Sequence, residues 1–426
     1  MTHIRKTVDN LRDVIGGEVL LRAANALVAV LIGRVFGVAV LGAYAAILAT
    51  TTLAERVADN GLEFTGISEL SRQPSSIDRL GSALYVDKTV LSVLAIGLLA
   101  AVAGISGISR SQWLIAAVLT SRTFIYSYCR LNSGLLKALK KTKSIAAIQA
   151  VHFFALTISV LVVYLRERRL LMFLLCLLGA QLLEFVLTYA VLRKFGFRMS
   201  AVSPRCCWHL LRRSAPVGAT YTFSTLMLRG DVLVLSLIAP ASVVGTFAAA
   251  NTGLVMIYVI AWLFSGILLA DLGALSDNRE AFDLHFRKCL HGVLLLTIPL
   301  AAVCAVFAST AIVAVFGTNF DSAGLPGALM MLALPLIFLN AAFLSRTVSR
   351  NASRISLGTY GFTAVLSLVL NYALGRWQGA TGVACSILIR EAVMTLLFIR
   401  FWNLPQPLES VEPMKPKAEF AELLNT

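Results

Sequence analysis

The sequence predicts an all-α, polytopic membrane protein with about 12 transmembrane helices in two six-helix lobes, related by a pseudo-two-fold axis along the membrane normal. Three observations carry this. Of 426 residues, 58% are hydrophobic and 14% charged, against about 25% charged in a soluble domain. Apolar stretches of about 20 residues, enough to cross about 30 Å of hydrocarbon, recur along the whole chain. A short segment also repeats: VLGAYAA at Val40–Ala46 returns as VVGTFAA at Val243–Ala249, with Gly245 matching Gly42, 203 residues further on.

Taken in order, the apolar runs place spans at 17–36, 39–61, 83–108, 111–136, 144–165, 169–192, 213–238, 242–270, 287–316, 325–347, 354–375 and 379–402. The first follows Arg5, Lys6 and Arg12, as a signal peptide would. No A-x-A site follows it and Arg22 interrupts it, so it reads as an uncleaved helix after a cytoplasmic N-terminus, 1–16. A long break between spans near the middle of the chain is the basic segment around 193–212, with Gly196 and Pro204. It is the expected connector between an N-terminal lobe, 17–192, and a C-terminal lobe, 213–402. Six spans are an even number, so both lobes enter from one face and the repeat is parallel. The seventh and eighth spans are joined by a short turn at Ala239–Ser242. The tail, 403–426, has four prolines and mixed charge, the composition of a disordered cytoplasmic end.

With the N-terminus inside, the cytoplasmic segments carry 23 lysines and arginines and the opposite side six. That bias puts both termini in the cytoplasm. It also accounts for the net charge of +15 without nucleic acid as a partner. The seven cysteines show no C-x-x-C spacing and the five histidines no H-x-x-x-H pair, which argues against a zinc site, a disulfide framework and zincin chemistry.

A charge near the bilayer centre costs at least about 2.5–3.5 kcal/mol, so it faces protein or water. Glu55 and Asp59 share one face of the second span, with Arg56 beside them. The fourth span carries Arg122, Tyr126, Arg130, Ser133 and Lys137 at spacings of three and four, one polar stripe. That helix offers its arginines no acid, which favours a cationic, water-filled cavity where guanidinium could hold phosphate. Thr220, Ser224 and Arg229 roughly share a face of the seventh span, with Asp231 two residues on. Asn251 and Tyr258 on the eighth, Asn340 on the tenth and Arg390–Glu391 on the twelfth complete the set. Arg22 lines the cavity or reaches the inner surface. The bland alternative is that these groups pair with one another and lock helices together, and for Arg390–Glu391 and Glu55–Arg56–Asp59 it stands level with the functional reading.

Four stretches together resemble the Wzx-type polysaccharide flippases of the multidrug/oligosaccharidyl-lipid/polysaccharide (MOP) exporter superfamily. They are GRVFGVAVLGAYAAI at Gly33–Ile47 with NGLEFTGISELSR at Asn60–Arg72, the segment Arg212–Ala250, VFGTNFDSAG at Val315–Gly324, and LNYALGRWQGATGVACSILIREA at Leu370–Ala392. The resemblance implies two six-helix bundles around a V-shaped cavity in a bacterial inner membrane. It implies alternating-access export of an undecaprenyl-diphosphate-linked oligosaccharide for polysaccharide, O-antigen (lipopolysaccharide), capsule or exopolysaccharide assembly. Membrane lipid, a polysaccharide polymerase and a chain-length regulator are the expected partners, a proton or sodium gradient the expected driving force, and no cofactor is expected. By position, Arg229 and Asp231 match an arginine and aspartate of the family's seventh helix. Arg22, Arg122, Tyr126, Arg130 and Asn251 are substrate-binding candidates on physical grounds, and Glu55, Asp59 and Asp231 candidates for ion coupling. Rival readings are a small-molecule or other lipid exporter of the same fold, a transport-inactive scaffold, and a membrane glycan polymerase or ligase. The outer loops, such as Gly317–Gly324, are too short to build an enzyme site.

Overall fold

The structure, a computed structural model, describes residues 23–105, 110–166, 169–275, 278–350 and 353–402. Arg22, the terminus 1–16 and the tail 403–426 lie outside the described residues. The rest is helical: α1 (Ala23–Phe36), then α2 (Val38–Asp59), α3 (Leu62–Arg72), α4 (Ile77–Ile105), α5 (Arg110–Ala138), α6 (Thr142–Arg166), α7 (Leu170–Lys194) and α8 (Pro204–Ile238). After these come α9 (Ala241–Ala274), α10 (Arg279–Phe316), α11 (Gly324–Leu332), α12 (Leu334–Ser349) and α13 (Ser353–Trp402). Among the described residues, nine helical stretches are long and apolar enough to cross a membrane. The chain is a multi-pass membrane protein, and large apolar side chains such as Leu98, Leu165, Leu237 and Leu295 stand exposed along these helices, as a hydrocarbon solvent allows.

The twelve predicted spans map onto these helices with three differences. α4, α8 and α10 run past the apolar stretch, because a helix continues through the polar interface and the hydropathy signal marks only the hydrocarbon. The tenth span is α11 followed by α12, which starts with Pro335 in its first turn, where the missing N–H of proline costs no helix hydrogen bond. The last two spans are one continuous stretch interrupted at Gly379 (φ 56°, ψ −129°). α3 was not foreseen. It follows α2 across Asn60 (φ 44°) and Gly61 (φ 77°), left-handed positions that favour asparagine and glycine, and it buries Leu62 and Leu70.

The helices collect into two compact units. Among the described residues, the first takes 23–28 and 47–225 and the second 29–46 and 226–402. The divisions between the units fall within α1, α2 and α8. Close backbone packing accompanies those in α2 and α8. In the first unit a Cβ on Gly218 would lie 2.4 Å from the carbonyl carbon of Asn60. There Asn60 Nδ2 donates to Leu211 O (3.1 Å), Arg213 pairs with Glu69 (2.7 Å), and the rings of Phe64 and Tyr221 stack at 3.9 Å. The beginning of α8 is thereby fastened to α3.

In the second unit the repeated segments meet each other. A Cβ on Gly42 would lie 1.8 Å from Ala241 O, and one on Gly245 would lie 1.9 Å from Val38 O. Val38 and Ala241 are separated by the same 203 residues as Gly42 and Gly245, so the contact is reciprocal. Each glycine receives the carbonyl of the other copy, the close approach that small residues permit between membrane helices.

The connector is strapped down within the first unit. Phe197 is fully buried in a cluster with Leu80, Leu84, Leu135, Leu192 and Leu210, and Gly81 makes room for its ring. Arg198 N donates to Asp78 Oδ1 (2.7 Å) and Ser200 N to Ser82 Oγ (2.9 Å).

Gly42→Ala or Gly245→Ala should destabilise the solubilised protein by about 1–3 kcal/mol or more, since backbone must yield. Gly97→Ala, where a Cβ meets nothing within 4 Å, should be neutral or mildly stabilising. Thermal unfolding in detergent checks this; equal midpoints for Gly42→Ala and Gly97→Ala would refute the close crossing.

Candidate functional site

Each unit encloses a charged cluster. In the first, Glu55, Asp59 and Glu63 stand four residues apart and face one way despite the break at Asn60–Gly61. α5 runs parallel to them. Thr51 Oγ1 lies 3.3 Å from Thr123 Oγ1, Ser127 donates to Glu55, and Arg130 reaches Glu63 through Nε (2.9 Å) and Nη2. Arg130 Nη1 is also 3.7 Å from Glu55 Oε2, and its guanidinium lies 5.9 Å from the Tyr126 ring centre. The acids that α5 lacks are thus supplied by α2 and α3. Lys88 of α4, 1% exposed, completes the cluster by pairing with Asp59. In a medium of low dielectric such pairs are mutually obligatory: an unpartnered charge there carries its whole desolvation cost.

Arg122, two turns before Arg130 on the predicted stripe, has a different partner. It is buried and donates through Nη2 to Asn25 Oδ1 (3.0 Å). Close by lies a second polar group that the sequence reading passed over. His152 Nδ1 is 3.2 Å from Glu184 Oε2 and 3.1 Å from Ala180 O, and Gln181 Nε2 donates to Glu184 Oε2 (2.7 Å).

The second unit's cluster centres on Arg390, 1% exposed. Its Nη1 donates to Asp231 Oδ1 (3.1 Å), Met227 O (2.9 Å) and Ser367 Oγ (3.2 Å). Nη2 donates to Tyr258 Oη (2.8 Å) and Nε to Glu391 Oε1 (3.2 Å). Tyr258 Oη in turn donates to Glu391 Oε1 (2.8 Å), Asn340 Nδ2 donates to Glu391 Oε2 (2.8 Å), and Asn371 Nδ2 to Asp231 Oδ1 (2.7 Å). One guanidinium serves two carboxylates, with neutral donors completing both. Asp231, Tyr258, Asn340, Arg390 and Glu391, singled out one by one in the sequence, form one group. Arg229 is half-buried on α8, Tyr126 half-buried on α5 beside Arg130, and Asn251 buried on α9.

Sequence reasoning missed Lys88, Glu63, His152 and Glu184. A signal existed for each: Lys88, His152 and Glu184 lie inside predicted spans, and Glu63 continues the four-residue spacing of Glu55 and Asp59.

A family model described as "Polysaccharide biosynthesis protein" matches residues 14–268. The chain belongs to this family. Comparison with curated proteins finds no match. Among solved structures it is similar to the lipid II flippase MurJ in an inward closed conformation, with TM-score 0.74, 12% identity, and 90% of this chain and 86% of that one covered. An inward-facing multidrug resistance MATE family transporter of the MOP superfamily gives TM-score 0.70 at 14% identity, covering 95% and 96%. A MOP superfamily transporter from Pyrococcus furiosus, whose binding pocket is described as of reversed polarity, gives 0.60 at 14%, covering 93% and 94%. At these identities the likeness establishes the fold, that of MOP-superfamily flippases and transporters.

Asp59→Asn and Lys88→Met should each cost about 3–5 kcal/mol, and the double variant clearly less than their sum, since the pair is lost together. Unfolding midpoints of the four proteins check this; additive losses would mean that the two groups do not pair.

Proposed function

We propose that this protein moves an undecaprenyl-diphosphate-linked oligosaccharide repeat unit across a bacterial inner membrane for polysaccharide assembly, by alternating access and without making or breaking a bond. The observation that carries this is membership of a polysaccharide biosynthesis family by a chain built of membrane-crossing helices. Its fold likeness to a flippase of lipid II supports a lipid-linked substrate. Both termini are placed in the cytoplasm, on the basic bias of the loops. A polysaccharide polymerase and a chain-length regulator are the proteins that would use and meter the product.

We assign the diphosphate to Arg122, Arg130 and Arg229, with Arg22 at the cytoplasmic end and Tyr126 and Asn251 beside the glycan. A guanidinium offers two parallel donors to a phosphate and stays charged at any physiological pH. Arg130 is held by Glu63 and Glu55, so reaching a diphosphate means leaving a carboxylate, which must then find another cation. That exchange would couple transport to an ion. A proton or sodium ion entering at Glu55 or Asp59 competes with Arg130 and Lys88, and one entering at Asp231 competes with Arg390. A tethered cation therefore marks each place where a mobile one could act.

Transfer into proteoliposomes tests the reading, with labelled lipid-linked oligosaccharide in the outer leaflet and head-group protection as the signal. Wild-type protein should transfer it. Arg122→Ala should lower the rate by about tenfold to a hundredfold, the worth of a charge-assisted hydrogen bond. Arg130→Ala combined with Glu63→Gln, which leaves no bare acid at that pair, should do the same. Unchanged transfer in both would sink the site assignment. Transport of small cations but not of lipid-linked glycan would instead favour a drug exporter, the activity named for one structural relative.

A further inference from the structure

α10 begins at a capped end, where Asn278 Oδ1 accepts from Ala281 N (3.0 Å). Its first turns carry Arg279, Asp283 and Arg287 at spacings of four, one stripe, with Phe282 and Phe286 alongside. The last turn of α12 and the residue after it carry Arg346 and Arg350, again four apart. The two stripes meet within the second unit. Arg346 Nη2 and Arg350 Nη2 each lie 3.1 Å from Asp283 Oδ1. The Arg346 guanidinium is 5.1 Å from the Phe286 ring centre, and that of Arg350 is 4.5 Å from Phe282. Arg279 and Arg287 are close enough to act on Arg346 electrostatically.

Two guanidinium groups thus share one carboxylate, with two more in electrostatic range of the first. Glu280, the next acid along α10, is exposed. The two helix ends that meet here, the start of α10 and the end of α12, are of opposite sign and offset each other, so the side chains decide the local field. Asp283 already holds Arg346 and Arg350, so Arg279 and Arg287, one turn to either side of that single acid, bring more positive charge than it can neutralise. An anion would turn the repulsion into binding. Arg346 is 5% exposed and Phe282 and Phe286 are buried, so one wall of the site is rigid and poorly hydrated, whereas Arg279 and Arg287 are open to a ligand. Further along the same helix Leu295 and Leu296 are exposed, apolar surface on which acyl chains could lie.

We propose that Arg279, Arg287, Arg346 and Arg350 form a binding site for a phosphate group, carried by an anionic lipid headgroup or present as the free anion. The site belongs to α10 and α12 and shares no residue with the substrate contacts assigned above.

Full-length protein in detergent is titrated with phosphatidylglycerol, and with phosphatidylcholine as the net-neutral reference, and bound lipid is counted by native mass spectrometry. Phosphatidylglycerol should bind more tightly. Arg287→Gln with Arg350→Gln should weaken it by roughly fivefold per arginine, while Lys140→Gln with Lys143→Gln should leave it unchanged. Asp283→Asn removes the competing carboxylate and should tighten binding, a gain that a merely structural role would not produce; if that variant does not fold, the arginine pair decides alone. Displacement by inorganic phosphate would show that the anion suffices, and resistance to it that the acyl chains contribute; both support the site. No preference for phosphatidylglycerol, no loss in the arginine variant, or an equal loss in the lysine variant would overturn it.

Discussion

Hydrocarbon offers a buried charge nothing to bind except the protein itself, and the interiors of both units are arranged by that constraint. Most of the charged groups described above are met by an opposite charge: Lys88 by Asp59, Arg130 by Glu63 and Glu55, Arg390 by Asp231 on another helix and by Glu391 beside it, while Arg122 is met by the amide of Asn25. These pairs supply register between helices whose apolar surfaces alone would slide. Leucine against leucine is no more favourable than leucine against lipid, so in such a bundle specificity comes from polar contacts and close packing. The ladder from Thr51–Thr123 through Ser127–Glu55 to Arg130–Glu63 fixes α2 and α3 against α5 over some three turns.

Close packing is the second device, and it falls at the ends of the chain segments that each unit borrows. Gly42 against Ala241 and Gly245 against Val38 fasten the start of α2 to α9, and Gly218 against Asn60 fastens α8 to the turn before α3. At all three positions backbone touches backbone. No side-chain repacking relieves an added methyl there, which separates these glycines from Gly97 or Gly292, around which there is open space. The repeat seen in the sequence is therefore more than a trace of duplication: its two copies are each other's binding surface.

The spans were legible in the sequence because hydropathy reports directly on the medium, and even the break near residue 379 showed. α3 was not, since eleven residues with an arginine and two glutamates carry no membrane signal and their helical period is short. The candidate site was legible as residue types and illegible as pairs. Arg390 and Glu391 stood out as neighbours, yet Arg390 also grips Asp231, 159 residues away. Arg122 and Arg130 looked alike on one stripe and have unlike partners, an asparagine and two glutamates. A helix face can be read from spacing; which helix faces it depends on three-dimensional register, and no local pattern encodes that.

The same pairs constrain how any ion could drive movement. A carboxylate that binds only water can take a proton at no cost to its neighbours. One that holds a buried guanidinium cannot, because neutralising it strands the cation. In the second unit Arg390 has two carboxylates within 3.3 Å, so neutralising one still leaves it a partner, and Tyr258 and Asn340 can hold the neutral acid through hydrogen bonds. In the first unit Arg130 likewise touches two acids, Glu63 and Glu55. Lys88 is held by Asp59. Of the charged pairs described, those with a spare carboxylate are the ones in which protonation changes the field without breaking the core, and Glu55 and Glu391 stand in that position.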